Sequence, residues 1–177
     1  MLHHPLYREC YAANLKRELP RIPFAADFKS FVEIGRRLAD IHVNYEQQPE
    51  YPLEKIETPG KPLDWRVEKM KLSKDKRSLI YSDFLTLSGI PPEVFEYRLG
   101  NRSALEWIID QYQVSTDKRS GITNDPNRAD DPECIVRLIG QVITVSLETV
   151  NLTRSLSSQD FVAAKGRAES QPLNRTR

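Results

Sequence analysis

Three features are scarce in this 177-residue sequence: cysteine, long apolar runs and an excess of charge of either sign. The two cysteines, Cys10 and Cys134, lie far apart and outside any C-x-x-C pattern. This favours a reduced, cytoplasmic protein with two incidental thiols over a disulfide-bonded one. No apolar run approaches the ~18 residues that cross a membrane, and no signal segment opens the chain, so no membrane partner is expected.

The charge balance excludes little by itself. Lysine and arginine number 26 and aspartate and glutamate 25, which leaves a formal net charge of +1. A balance this even is neither for nor against nucleic-acid binding, so only the distribution of charge along the chain is informative.

Motifs for catalysis are also missing. The sequence contains no phosphate-binding G-x-x-x-x-G-K-[ST] loop, no G-x-G-x-x-G and no metal-ligand spacing. The Asn- or Asp-Pro-Pro-aromatic tetrapeptide of DNA amino-methyltransferases is absent, and residues 124–127 (NDPN) are interpreted as a turn. Asp64 and Glu68 precede Lys69 and Lys71 in the wrong register for a nuclease site. We therefore predict no catalytic residues, no metal and no cofactor in this chain.

Hydrophobic periodicity predicts helices in the amino-terminal part. Residues 5–19 and 26–46 repeat apolar side chains every three or four positions, and Pro20 ends the first helix. In the second helix the predicted face consists of Phe28, Phe31, Val32, Gly35, Leu38, Ala39, His42 and Tyr45. A lone histidine on such a face is interpreted as a hydrogen-bonded core residue and not as a ligand. Residues 47–62, rich in proline, are predicted to be a loop.

The middle of the chain favours strands and its end favours helices. Partial alternation in residues 65–70, with the strand-forming runs 79–81 and 84–87, predicts a β-hairpin or a three-stranded meander. A short helix over 91–97 and a capping box at Ser103 and Glu106 follow. After a polar loop over 114–131, a last helix starts near Asp131, although a strand over 142–150 is the competing interpretation. The predicted fold class is α+β.

The chain is expected to be one domain with a tail. Residues 1–151 have the composition of a modest globular core, whereas residues 152–177 form a polar stretch that predicts disorder. The helical pattern begins almost at once, at residue 5, which favours a segment cut from a longer polypeptide.

Basic residues cluster in two places. Residues 61–77 contain seven basic and three acidic side chains, a local excess of four, and a second pair stands in the polar loop. A hairpin with a basic turn suits a DNA backbone or groove, but lysines also protect edge strands from aggregation, and the loop pair also suits ordinary turn chemistry. The candidate DNA-binding residues are Lys69, Lys71, Lys74, Lys76, Arg77, Lys118 and Arg119.

Long ordered strings carry a resemblance to a known family. They are LHHP at 2–5, YR at 7–8, YAANLK at 11–16, LPRIP at 19–23, GRRLA at 35–39 with His42, Asn44, Tyr45 and Glu46, SALEWI at 103–108, YQV at 112–114, DK at 117–118, SGI at 120–122 and NDPN at 124–127. In these stretches the chain resembles the carboxy-terminal specificity region of type ISP restriction-modification enzymes, often described as DEAD/DEAH-box helicases. The residues after 151 depart from the family's ending.

The resemblance implies a target-recognition role on double-stranded DNA. It implies that the parent polypeptide joins a nuclease, a helicase-like ATPase and an adenine-specific DNA methyltransferase upstream of this region. ATP, magnesium and S-adenosylmethionine would belong to that parent and none of them to this chain. A structural module that packs on the methyltransferase without base contacts is the alternative.

Overall fold

The computed structural model describes residues 5–17 and 27–156. The chain divides into two compact units, one holding the described residues up to 40 and from 151 onward, the other holding residues 41–150. The predicted disordered tail lies outside the described residues from 157 onward, so it stays a prediction, as does the division at residue 151. The extended stretch predicted over residues 19–24 also lies outside them.

The first predicted helix is two short helices. Helix α1 spans Pro5–Cys10 and α2 spans Ala12–Leu15. Tyr11 separates them because its backbone leaves helical geometry at φ −109° and ψ 16°. Tyr7 is buried, and its ring centroid lies 5.0 Å from that of Tyr11, the approach expected one turn apart.

Helix α3 spans Phe28–Val43. The Asp27 carboxylate accepts hydrogen bonds from the Ser30 hydroxyl and, at 3.1 Å, from the Ser30 N–H, and both bonds lower the pKa of Asp27. The second bond also satisfies a first-turn donor. The predicted apolar face is wrong in one respect: Ile41, which was not part of it, is the buried residue of this helix, whereas Phe28 is 73% exposed. Periodicity predicts that a helix has a face, but not how deeply each residue on that face is covered.

His42, at the end of α3, forms the hydrogen bond that the sequence predicted. Its Nε2 atom lies 2.8 Å from the Tyr97 hydroxyl oxygen, and the two rings meet edge to face at 5.5 Å. Burial raises the pKa of Tyr97. A 3-10 helix over Tyr45–Gln47 follows the helix.

A four-stranded antiparallel sheet lies at the centre of the second unit. Strands β1 (Glu54–Glu57), β2 (Lys71–Leu72), β3 (Ser78–Ile80) and β4 (Leu85–Ser88) are arranged in the order β1-β4-β3-β2. The predicted hairpin is confirmed in β3 and β4, whereas the strand that pairs with β3 on its other side, β2, lies after the segment predicted for it. The loop predicted over residues 47–62 is wrong where β1 lies. All four residues of β1 are exposed, so its sequence does not alternate between buried apolar and exposed polar residues as a half-buried strand would.

The strand predicted over residues 65–70 is also wrong, since this segment joins no sheet. Several of its backbone groups bond to side chains instead. The Tyr81 hydroxyl donates to the Trp65 carbonyl at 2.8 Å, and the Asn127 side chain bonds to both the N–H and the C=O of Val67. Val67 and Met70 are buried, so partial alternation reports burial here without a strand ladder.

Short elements complete the region after the sheet. The predicted short helix is a 3-10 helix over Pro92–Glu96. Strands β5 (Arg98–Leu99) and β6 (Arg102–Ser103) form one hairpin, and β7 (Ser115–Thr116) and β8 (Thr123–Asn124) form another. Helix α4 spans Ala104–Gln111 between the two hairpins, and the capping box predicted at its start is confirmed.

Helix α5 spans Cys134–Ser155, so the alternative of a strand over residues 142–150 is wrong. The buried Ser146 hydroxyl donates to the Val142 carbonyl one turn back at 2.6 Å. At Gly140, helix α5 lies close to the segment that contains Glu50 and Tyr51. The Gly140 carbonyl accepts from the Tyr51 N–H at 3.1 Å, and a Cβ added to Gly140 would lie 3.1 Å from the Cβ of Glu50. A larger residue at that position would require residue 50 to shift by a few tenths of an ångström.

The prediction that no apolar segment reaches the length of a membrane span is wrong for helix α5. Its 22 residues meet the length and composition of a membrane-spanning helix, but 67% of its most apolar stretch is buried inside the protein. A buried core helix passes the same test.

The hydrophobic core of the second unit joins the sheet, α4 and α5. Side chains from these elements and from the segments between them form one buried cluster. Its members are Val67, Met70, Leu79, Tyr81, Phe84, Leu85, Leu87, Ile90, Val94, Leu105, Ile108, Ile135, Val136, Leu138, Ile139, Val142 and Ile143. The α+β fold class predicted from the sequence is confirmed. Most of the candidate DNA-binding residues lie in the turn between β2 and β3 and in the turn between β7 and β8.

Candidate nucleic-acid interface

The turn between β2 and β3 is built by short polar side chains. The Ser73 N–H donates to the Ser78 carbonyl at 2.9 Å, and the Ser78 N–H donates to the Ser73 hydroxyl at 3.0 Å. The Asp75 carboxylate accepts from the Ser73 hydroxyl at 2.6 Å and from the Arg77 N–H at 3.1 Å, and these bonds lower its pKa. Because the acidic side chain is occupied by the turn, Asp75 forms no ion pair with Lys74 or Arg77 among the described residues.

Lys76 differs from the other candidate residues. It occupies the left-handed region at φ 59°, and its ammonium lies 2.7 Å from a Glu106 carboxylate oxygen and 4.9 Å from the Phe95 ring centroid. Both contacts are intramolecular. The structure therefore gives Lys76 a role in holding the turn against α4.

The remaining candidates near this turn are exposed. Lys71 lies on edge strand β2, opposite Ile80 on the outward-facing side of the sheet, and Lys74 and Arg77 lie in the turn. Lys69 precedes β2 and, with Lys76, lines a groove of about 600 Å³. Within the described residues, the side chains of Lys69, Lys71, Lys74 and Arg77 form no ion pair.

The β7–β8 hairpin contains the second predicted cluster. The Asp117 carboxylate accepts from the Ser120 N–H at 2.7 Å, the Ser120 hydroxyl at 2.8 Å and the Arg119 N–H at 3.0 Å, which lowers the pKa of Asp117. Gly121, at φ +71°, donates its N–H to the Asp117 carbonyl at 2.8 Å. These bonds close the turn on itself. Lys118 and Arg119 are exposed and form no ion pair within the described part of the chain.

The two clusters share a base. On one side of the hairpin the Val114 N–H donates to the Glu68 carbonyl at 3.2 Å. On the other side Asn127 bonds to the Val67 backbone, and the Arg66 guanidinium lies 2.8 Å from the Asp125 carboxylate. Both ends of the hairpin are thus attached to residues 66–68, immediately before Lys69.

The sequence did not predict this attachment. Residues 124–127 were interpreted as a turn. Asn124 belongs to β8, and the Asp125 carboxylate accepts from the Asn127 N–H at 3.0 Å, a side-chain-closed turn after which Asn127 reaches Val67. Periodicity carries no signal for a side-chain-to-backbone bond over 60 positions. The groove beside Lys69 is also lined by Arg98 and Arg102, which the cluster count missed because they stand outside residues 61–77.

The capping box of α4 connects this surface to the core. Buried Ser103 accepts from the Glu106 N–H at 3.2 Å, and its own N–H donates to a Glu106 carboxylate oxygen at 2.9 Å. The Lys76 ammonium, and then the Ser103 N–H, lower the pKa of Glu106. A carboxyl group whose folded-state pKa is lowered contributes stability above its unfolded pKa, and the contribution is lost as the pH falls through the folded value.

We expect Glu106→Gln to be less stable than the wild type by about 1 kcal/mol at pH 7 and equal to it near pH 3. Glutamine keeps the hydrogen-bonding shape of the capping box but lacks the charge, and the protonated wild type lacks it too. Urea unfolding at both pH values measures the difference. Glu57→Gln, on exposed strand β1, is the control; a Glu106→Gln deficit that persists at pH 3 would contradict the ion-pair explanation.

Metal-ligating side chains do not cluster here. Among the residues that the structure describes, no group of three or more His, Cys, Asp or Glu side chains is placed to hold a metal ion.

Three solved structures similar to this chain are of complexes with DNA or a DNA mimic. A nuclease-deletion mutant of the Type ISP restriction-modification enzyme LlaGI, in complex with a DNA substrate mimic, is 47% identical with a TM-score of 0.80 and covers 89% of the chain. The ATP-dependent Type ISP restriction-modification enzyme LlaBIII, bound to DNA, is 41% identical with a TM-score of 0.81 and covers 88%. A DrdV–DNA complex is 34% identical with a TM-score of 0.75 and covers 89%.

This chain spans only a small part of those proteins: 13% of the LlaGI chain, 10% of the LlaBIII chain and 17% of the DrdV chain. Comparison with curated proteins gave no match.

The comparisons define the class of this chain as a specificity domain of restriction-modification enzymes. The family model of the Type ISP C-terminal specificity domain matches residues 1–138. The chain belongs to this family, and the resemblance seen in its sequence is confirmed.

Proposed function

We propose that this chain recognises DNA targets as the specificity part of a Type ISP restriction-modification enzyme. Its family and the DNA-bound state of its structural relatives support this role. The observation that carries it is the arrangement of two exposed basic turns, the second of which is attached to residues 66–68, shortly before the first. Apart from Lys76, their cations form no ion pair within the described residues. Phosphate contacts from such cations would position the domain on the duplex.

The proposed DNA-binding residues are the exposed cations of the two turns and of the segment before them. They are Lys69, Lys71, Lys74, Arg77, Lys118 and Arg119. We set Lys76 apart because its ammonium is held by Glu106, and we propose that it shapes the turn that presents its neighbours.

We propose that the domain works within a longer polypeptide in the cytoplasm. Its partners would be double-stranded DNA and the upstream methyltransferase and helicase domains of that polypeptide. The nuclease, the helicase-like ATPase and the adenine-specific methyltransferase would reside upstream, together with ATP, magnesium and S-adenosylmethionine. This chain would contribute recognition without catalysis of its own.

A packing role without base contacts is the second candidate, and the outer face of the sheet favours it. Ile56 and Ile80 flank Thr86 in one row across β1, β4 and β3, and each isoleucine is 46% exposed. Exposed aliphatic side chains in one row suit a protein neighbour better than water.

Salt-dependent DNA binding separates the two candidates. We expect the chain to bind duplex DNA with an affinity that falls steeply as salt rises, because each phosphate contact contributes about −0.9 to the slope of log K against log salt. Two double variants remove two cations each, so each should reduce the magnitude of that slope by about 2. They are Lys74→Ala with Arg77→Ala and Lys118→Ala with Arg119→Ala. Fluorescence anisotropy would measure the affinity for duplex DNA at salt concentrations from roughly 50 to 200 mM.

The matched control is Lys29→Ala with Arg36→Ala, which removes two exposed cations from α3. We expect this control to leave the slope unchanged. Absence of DNA binding by the wild-type chain at low salt would favour the packing role. Equal slopes for all three double variants would overturn the assignment of the two turns.

A further inference from the structure

Two hairpins of this domain each expose one aliphatic side chain near the tip. Leu99, on the β5–β6 hairpin, is 48% exposed, and Ile122, on the β7–β8 hairpin, is 70% exposed. Burial of a side chain of this size is worth about 1.5–3 kcal/mol, so each could contribute to binding a surface that covers it. The charged groups beside the two residues differ.

The cations beside Leu99 are bonded within the domain. The Arg98 guanidinium donates to the Asn101 carbonyl, and the Arg102 guanidinium lies 2.5 Å from the Asp110 carboxylate. These arginines therefore shape their own hairpin.

The cations beside Ile122 have no such partners. Lys118 and Arg119 form no ion pair within the described residues, and the acidic side chain of the turn, Asp117, is occupied by the N–H groups of Arg119 and Ser120. The tip therefore presents an aliphatic group next to two available positive charges. An apolar group rimmed by cations matches the surface of DNA, where stacked bases lie between rows of phosphates.

The tip is also held in one shape before it binds. The Asp117 N–H donates to the Ile122 carbonyl at 2.9 Å, which extends the ladder of β7 and β8 to Ile122 itself. The Thr116 and Thr123 hydroxyls lie 2.9 Å apart across the strands. Since the base of the hairpin is attached to residues 66–68, little conformational freedom remains to be lost when the tip binds.

We infer that Ile122 is an apolar wedge that enters between base pairs of DNA while Lys118 and Arg119 bind the flanking phosphates. Proteins that deform DNA place aliphatic side chains between base steps, where they unstack the bases without reading a hydrogen-bonding pattern. An isoleucine at the end of a narrow two-stranded hairpin suits that use because it carries no donor or acceptor. This inference rests on the proposed DNA-binding function and adds to it a deformation of the duplex.

Base unstacking gives the test. The probe is a duplex of the sequence that the wild-type chain enriches from a random pool, with 2-aminopurine replacing one adenine at a time. We expect bound wild-type chain to raise the fluorescence at one step several-fold. Ile122→Ser should abolish that rise and weaken binding roughly 10-fold, the order expected from losing one aliphatic contact, while Ile122→Leu should retain both. Leu99→Ser is the matched control and should change neither.

Each other outcome has a defined meaning. Salt-dependent binding by the wild type with no fluorescence rise at any step overturns the wedge and leaves the proposed function intact. The wedge is also overturned if replacing thymine by deoxyuridine removes the difference between wild type and Ile122→Ser, because the contact is then to a thymine methyl group. Unchanged DNA binding by Ile122→Ser assigns the tip to a protein surface instead. No binding by the wild type overturns both the proposed function and the inference.

Discussion

Asn127→Ala is expected to lower the free energy of unfolding by about 2–4 kcal/mol. The Asn127 side chain accepts from the Val67 N–H at 2.8 Å and donates to the Val67 carbonyl at 2.9 Å. Val67 is fully buried, so alanine would leave a buried donor and a buried acceptor without partners. Each such group costs about 1–3 kcal/mol. Urea unfolding followed by circular dichroism measures the loss.

Asn124→Ala is the matched control, since it removes the same amide group from an exposed position three residues earlier. It should change stability by less than about 0.5 kcal/mol. Faster amide exchange in the β7–β8 hairpin of Asn127→Ala would show that the bond also holds the base of the hairpin. Equal stability of the two variants would mean that water satisfies the Val67 backbone and that Asn127 is not the anchor.

Leu79→Ala is expected to destabilise the protein by about 2–5 kcal/mol, the range for truncation of a buried leucine. Leu79 lies on β3, is fully buried in the core cluster and pairs with Leu87 of the adjacent strand. Alanine would remove its apolar contacts and leave a cavity between the sheet and the helices. Chemical denaturation again provides the measurement, with the denaturant slope checked for a change in the unfolded state.

The neighbouring Ile80 supplies the control on the same strand. It points to the outer face of the sheet and is 46% exposed, so Ile80→Ala should cost less than about 1 kcal/mol. A similar loss in both variants would show that the outer face is covered as well, and would contradict the assignment of faces along β3.

Predictions from local sequence succeeded where a local pattern was sufficient. The Ser103 and Glu106 pair is a short-range signal, and its two reciprocal hydrogen bonds form as predicted. The β3–β4 hairpin was predicted because its two strand-forming runs are neighbours in the sequence. Helix α5 shows the limit of propensity: its β-branched residues favour a strand locally, but burial of one long face against the sheet stabilises the helix.

Predictions failed where the backbone depends on distant partners. Residues 65–70 alternate like a strand, yet groups that bond to their backbone come from Tyr81, Val114 and Asn127. Strand β1 is exposed on every residue and exists because it pairs with β4, a relation that its own sequence does not encode.

The candidate interface was likewise predicted only in part from the sequence. The sequence identified both basic clusters by counting charges, and the family by its long strings. Counting could not separate Lys76, which Glu106 holds, from Lys74 and Arg77, whose side chains form no ion pair within the described residues. Whether a cation is paired depends on which acidic side chain the fold brings within about 4 Å.

The amino-acid sequence by itself determined the α+β class, the capped helix, the β3–β4 hairpin and the family, because each depends on short-range patterns or on ordered strings of residues. Only the tertiary structure decided that the two basic turns share one base, and that Ile122 remains exposed at a rigid tip. Those features depend on hydrogen bonds between segments about 45–60 positions apart, such as that from Val114 to Glu68 and those between Asn127 and Val67. Such bonds form only when a common core has brought both segments together.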